Sequence, residues 1–338
     1  MMDLQLLWFL LIAVLFTGFF FLEGFDYGVG GLMPFLTSDE KERGEILRTI
    51  APVWDGNEVW MITAGGAMFA AFPHVYATMF SAFYLALFLM LVALILRGVA
   101  FELRGRQDSL RWKHFWDGAI AFGSIVPAFL WGVAVTDLLA GLPIDAHMVY
   151  TGGFFDLLSL YSIVGGLAFL FVFLFHGAAF LTIRLSKKSL LRRCRAVALN
   201  VGSLATLLFV LLLVLTQSST DLFEKPLAVG LLATAALLFL LAMSRMKKEK
   251  SVSSFIASAL AIVATTAAFF AGLFPRLMVS SLDPAWSLTI TNASSSPYTL
   301  SVMTVAAAVF VPIVLLYQGW TYYIFRKRVT AKDAQEHL

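Results

Sequence analysis

Apolar runs of about twenty residues, each ended by a short charged or turn-rich segment, recur along the whole of this chain. At 1.5 Å per helical residue, such a run matches the roughly 30 Å hydrocarbon core of a bilayer. The repetition predicts an all-α polytopic membrane protein. Composition agrees, because 60% of the 338 residues are hydrophobic and 13% charged, against about 25% charged in a soluble domain. The one cysteine, Cys194, excludes an internal disulfide framework, a C-x-x-C redox pair and a C-x-x-C-H haem attachment. Only Asp3 is charged before Glu23, so the first run lacks the basic region of a cleavable signal peptide and reads as a retained span.

Charged clusters and turn residues divide the chain, read as one transmembrane domain over 1–338, into nine candidate helices. They lie at roughly 5–33, 52–72, 75–97, 115–137, 157–183, 196–217, 226–244, 252–274 and 299–325. The long apolar stretch between Glu58 and Arg97 is split at Pro73-His74, which predicts a tight hairpin. Helices two to five and six to nine are expected as two four-helix units.

Lys and Arg then set the topology. Apart from Lys225 and Arg276, all 24 lie in segments that nine helices place on one side, from Lys41 and Arg48 through Arg97–Lys113, Arg184–Arg195 and Arg245–Lys250 to Arg326–Lys332. The positive-inside rule makes that side cytoplasmic, with the N-terminus outside and the C-terminus inside. Clusters such as KKSLLRRCR then read as topology determinants, with no nucleic acid implied. Trp8, Trp112, Trp116, Trp286 and Trp320 fall near helix ends and read as interface anchors.

Two carboxylate pairs interrupt this apolar sequence at helical spacing, Glu23 with Asp26 in LEGFDYGVG and Asp55 with Glu58 in WDGNEVW. Ionisable groups within spans cost about 2.5–3.5 kcal/mol near the bilayer centre, so chains that keep them use them for proton, ion or cofactor chemistry. Glu23 lies about 26 Å below an entry near Leu6, towards the cytoplasmic side. Two readings stand for each pair: Glu23 and Asp26 end a span at the interface or belong to a site, and Asp55 and Glu58 complement a helix dipole or take part in proton transfer. Trp54, Asn57 and Trp60 flank the second pair as a supporting wall, and Glu102 in the next polar segment completes a proton intake. No histidine stands beside these acids at metal-ligand spacing, so no metal is expected there. Of the five histidines, His74, His114, His147, His176 and His337, only His176 lies well within a span; it reads as a hydrogen-bonded structural residue or an axial haem ligand. GGAMFAAFP and VGGLAF follow no strand and read as helix-packing segments, not phosphate loops.

GFDYGVG at 24–30, IAPVWDGNEVWMITAGGAMFAAFP at 50–73, FYLALFLMLVALILRGVAFELR at 83–104 and WDGAIAFGSIVPAFLWGVA at 116–134 resemble subunit II of cytochrome bd-type quinol oxidases. Beyond about residue 135 the likeness is mainly one of helix spacing. The resemblance implies nine helices as two four-helix bundles plus one peripheral helix, in a heterodimer with subunit I of the bacterial cytoplasmic membrane. Some members add a very small single-helix subunit, and lipid and quinone are further expected contacts. It also implies a complex that oxidises quinol and reduces dioxygen to water. Subunit I carries the quinol site and ligates two b-type haems and one d-type haem, so this chain is not catalytic alone. Subunit II supports the haem site and supplies a cytoplasmic proton route.

Carried onto this sequence, the WDGN aspartate is Asp55, the GFD aspartate Asp26, and the third acid Glu102 in FELRGR, where some members have FDYRSK. Arg106 replaces the lysine of that version and does not readily deprotonate. Glu23 is Asp in some relatives, and Glu58 is Gln in others. The rival expectations are a proton-coupled transporter, which also places acids in broken helices, and an assembly scaffold without proton chemistry.

Overall fold

A computed structural model describes residues 4–330; Lys332 and His337 lie outside the described residues. The chain folds into α1 (Leu4–Leu36), α2 (Glu40–Ile50), α3 (Trp54–Ala71), α4 (Pro73–Ala82), α5 (Tyr84–Leu103), α6 (Leu110–Ala140), α7 (Leu160–Arg184), α8 (Lys188–Ser219), α9 (Pro226–Lys247), α10 (Ser251–Leu273) and α11 (Pro297–Ile324). Proline at the first position starts α4, α9 and α11, where its missing N–H has no helical partner to lose. Ser159 and Ser296 cap α7 and α11 by accepting from backbone amides. Gly141, at φ +97, ends α6 in a conformation that side chains disfavour. The loops after α6 and α10 then cover one end of the molecule; the second folds on itself through the short antiparallel strands β1 (Arg276–Met278) and β2 (Leu288–Thr289), and the two are joined by Leu142 N donating to Val279 O at 2.9 Å and Ser280 Oγ donating to Ile144 O at 2.6 Å.

Eight helices among the described residues are long and apolar enough to cross a membrane: α1 and α5 through α11. The expected span 52–72 is α3, which is shorter and carries Asp55 and Glu58, yet its 18 residues still run about 27 Å. Its first turn stacks Trp54 on Phe101, and Ala71 O at its far end accepts from Ser295 N at 2.9 Å.

Several expectations are corrected. The hairpin at Pro73-His74 is not tight, because α4 fills it and the chain breaks again at Phe83; the helix expected at 75–97 is α5, running from Tyr84 to Leu103. Arg97 and Glu102 therefore lie in a helix rather than a loop. The basic run Lys188–Arg195 forms the first two turns of α8, since Lys and Arg are good helix formers. α2 was not anticipated. Trp8 is a buried tie rather than an interface anchor, donating from Nε1 to Leu300 O and Thr304 Oγ1 of α11 at 3.2 and 3.1 Å.

α1 sits at the centre, packed on α3, α6, α7 and α10, while α7–α10 form the remaining group. α11 is peripheral, with Leu300 its sole buried residue, so helices six to nine do not form a unit as expected. α1 and α7 touch backbone to backbone: a Cβ on Gly28 would lie 2.8 Å from the Gly177 Cα. That contact fixes the height of the residues just before it on α1.

Candidate functional site

Glu23 and Asp26 are both fully buried, as their spacing on one face of α1 requires. Opposite them α5 presents Arg97, which is 0% exposed and lies about 9 Å inside the end of its helix. Arg97 Nη1 pairs with Glu23 Oε1 and lies 3.9 Å from Glu58 Oε2 on α3. Its guanidinium also stands 4.9 Å from the Tyr27 ring centre and 6.0 Å from that of Trp54, within cation–π range. One cation thus meets two carboxyl groups, with that of Asp26 about one turn along α1 from Glu23. Glu23 Oε2, Asp26 Oδ1, Glu58 Oε2, Tyr27 OH, and Arg97 Nε and Nη2 are buried without a hydrogen-bond partner. Most buried polar atoms in proteins are paired, so this density of unpaired ones marks a site.

The cluster continues to α11 through an amide. Asn57 Nδ2 donates to Asp26 Oδ2 at 2.7 Å, while Asn57 Oδ1 accepts from Tyr322 OH at 2.8 Å and Gln318 Nε2 at 3.2 Å. Trp60 Nε1 donates to Gln318 Oε1 at 2.7 Å. The structure therefore brings Glu23, Asp26, Asn57, Glu58 and Trp60 together, with Trp54 stacked on Phe101 beside them. It leaves Asp55 on the exposed flank of α3 and Glu102 exposed on α5. Arg97, Gln318 and Tyr322 were missed in the sequence; the polar pair in YQGWTYY, four residues apart in an apolar helix, was the available signal.

A second buried ionic cluster lies at the same, basic, end. Asp117 of α6 accepts from Arg104 Nε at 2.6 Å and Arg43 Nη1 at 2.8 Å, and Arg104 Nη2 reaches Glu40 Oε1 at 2.7 Å. It fastens α2 to α5 and α6. α2 is also clipped to the start of α8 through Glu42, which takes Thr37 Oγ1 at 2.5 Å, Lys187 Nζ at 2.8 Å and Arg193. Burial opposes the ionised form of Glu42, but hydrogen bonds from Lys187, Thr37 and Arg193 outweigh it and hold the carboxyl at about 2.

His176 places Nδ1 2.7 Å from Ser258 Oγ and Nε2 3.2 Å from Phe21 O, and stacks on Phe255. Both ring nitrogens are engaged, so its setting does not fit an axial haem ligand. No cluster of three His, Cys, Asp or Glu suited to a metal occurs among the described residues.

The family model for cytochrome bd terminal oxidase subunit II matches residues 4–325. The chain is 43% identical over 335 residues to cytochrome bd ubiquinol oxidase subunit 2 of Bacillus subtilis (strain 168), covering 98% of this chain and 99% of that one. It is 36% identical over 370 residues to cytochrome bd-I ubiquinol oxidase subunit 2 of Escherichia coli (strain K12), covering 99% and 97%. Among solved structures, the bd oxidase from Geobacillus thermodenitrificans superposes with a TM-score of 0.76 at 17% identity, over 96% of this chain and 100% of that one, a likeness of fold.

Proposed function

This chain belongs to the cytochrome bd terminal oxidase subunit II family, and from that premise we propose that it conducts protons from the cytoplasm towards the haems of its partner. A subunit of this family is part of a haem-containing quinol oxidase of the bacterial membrane and works with a subunit 1. In our reading the partner ligates two b-type haems and one d-type haem and oxidises quinol, so this chain alone turns nothing over. The basic end faces the cytoplasm, with the N-terminus outside.

The observation that carries the reading is the group of buried Glu23 and Asp26 and half-buried Glu58 gathered near one buried Arg97. One guanidinium balances one carboxylate, which leaves room for up to two protons at zero net charge. Unpartnered carboxyl oxygens give those protons places to move between. Glu102, at the wall of an open cleft on the basic end, takes protons from water. Asp55, one turn from Glu58 on the exposed flank of α3, passes them to the surface where the partner docks.

The test is Asp55→Asn in the purified two-subunit complex, read by haem spectrum and oxygen consumption together. Proton relay predicts intact haems with slowed oxygen reduction, and partial recovery in Asp55→Glu. Loss of the haem spectrum would make Asp55 structural, and normal turnover with normal proton uptake would sink its relay role. Proton-coupled transport by the lone chain, without haem or partner, would overturn the whole assignment.

A further inference from the structure

The cleft at the basic end, about 1020 Å³ in volume, is built from four separate pieces of chain: α2 with the start of α3, the end of α5 and the turn after it, the last residue of α7, and the end of α11 with the segment after it. Arg48, Arg104, Arg106, Arg184, Lys327 and Arg328 line it, with Glu102 the one acid in its wall. Arg104 is matched by Asp117 and Glu40, whereas no ion pair to an acid is recorded among the described residues for Arg48, Arg106, Arg184, Lys327 or Arg328. Topology accounts for basic residues on this side of the membrane. It does not account for their gathering round one cavity. The wall is also held in place: Val329 N donates to Arg184 O at 2.8 Å and Arg184 Nη1 to Lys327 O at 2.6 Å, which fixes the segment after α11 against the end of α7. Arg184 is 8% exposed, and its Nε is buried without a partner.

We propose that this cleft holds the phosphate headgroup of one acidic phospholipid. Arginine forks match phosphate oxygens, and basic pockets between membrane helices are settings in which anionic headgroups bind. A lipid is favoured over a soluble anion by the rest of the wall, which is apolar through Leu47, Pro52, Trp54, Phe101, Ile324 and Phe325. From there the exposed apolar flank of α11, including Leu316 and Trp320, continues into the membrane as a track for acyl chains. The inference does not depend on the proton route.

The experiment uses the two-subunit complex in mixed phosphatidylglycerol and phosphatidylcholine, extracted in mild detergent and weighed by native mass spectrometry. One phosphatidylglycerol should stay bound in preference to phosphatidylcholine. In Arg48→Gln/Lys327→Gln/Arg328→Gln its retention should fall about a hundredfold, as three cations at roughly 1 kcal/mol each predict. Should that variant fail to assemble, a photoactivatable phosphatidylglycerol on the unaltered complex should label peptides spanning 44–54 and 322–330. Equal retention of both lipids, labelling only elsewhere, or displacement by inorganic phosphate with no lipid bound would overturn the proposal.

Discussion

The two buried ionic clusters at the basic end are built from the same residue types and differ in stoichiometry. Around Asp117, two arginines and Glu40 match charge for charge at 2.6–2.8 Å, with both Asp117 oxygens engaged and only Glu40 Oε2 left without a hydrogen bond. Around Arg97, one cation faces Glu23 and Glu58 with Asp26 close by, so three carboxyl groups have one cation among them, and six side-chain atoms have no partner. A matched cluster recovers the cost of desolvating its ions only through full pairing, and breaking it leaves a charge stranded. An unmatched cluster is poor as a fastener, but it keeps sites where a proton can be added or removed. The contrast separates an anchor from the conduit proposed above.

The largest effect should come from the anchor. Asp117→Asn strands Arg43 and leaves Arg104 with Glu40 alone, and should cost about 3–5 kcal/mol, seen as a lowered melting temperature and poor accumulation of the complex. If Asp117→Asn assembles normally and only turnover falls, the division between the clusters is wrong. Asp26→Asn should do the opposite, keeping assembly and haem absorption while slowing oxygen reduction by about a hundredfold or more, the usual scale for losing a positioned proton carrier. Glu58→Gln should be milder, since Glu58 is partly exposed and stands 3.9 Å from Arg97, beyond hydrogen-bond reach. Tyr322→Phe removes one hydrogen bond to Asn57, worth about 1 kcal/mol, and should slow turnover about fivefold with the haem spectrum unchanged. The smallest effect concerns Glu42. Its folded value near 2 lies below the unfolded value of about 4.3, so its contribution is complete above that value and fades as pH falls towards 2. Amide exchange in α2 should rise across that window, and Glu42→Gln, at about 1 kcal/mol or less, should raise it at neutral pH and flatten the dependence.

The helices and the acids on α1 were legible because apolar length and spacing of three are local properties. Glu23 and Asp26 do share a buried face. Asp55 and Glu58 have the same spacing but lie on a thinly covered helix, so one faces in and the other out. Arg97 was read as a loop residue because a hydropathy pattern scores a cation without knowing its partner. Glu23, 74 positions away, is what lets α5 continue through it. Gln318 and Tyr322 are more than 260 positions from Asn57, and no local pattern reports such a meeting. α2 stayed hidden because its cap and charges look like a polar connection until Asp39 is seen accepting from Lys41 N and Glu42 N.

The junction of Asp26, Asn57 and Tyr322 also sets a timetable. At about 5–20 residues per second of synthesis, Arg97 emerges roughly 4–15 s after Glu23, but Tyr322 follows Asp26 by about 15–60 s. The first helix therefore waits in the membrane for the last one. Throughout that interval its acids lack their outer wall and stay open to whatever water or lipid lies beside them. Ribosome transit, rather than packing strength, decides when this acid cluster is enclosed. A chain truncated before α11 would leave Asn57 without Gln318 and Tyr322 and the acid pair open on that side.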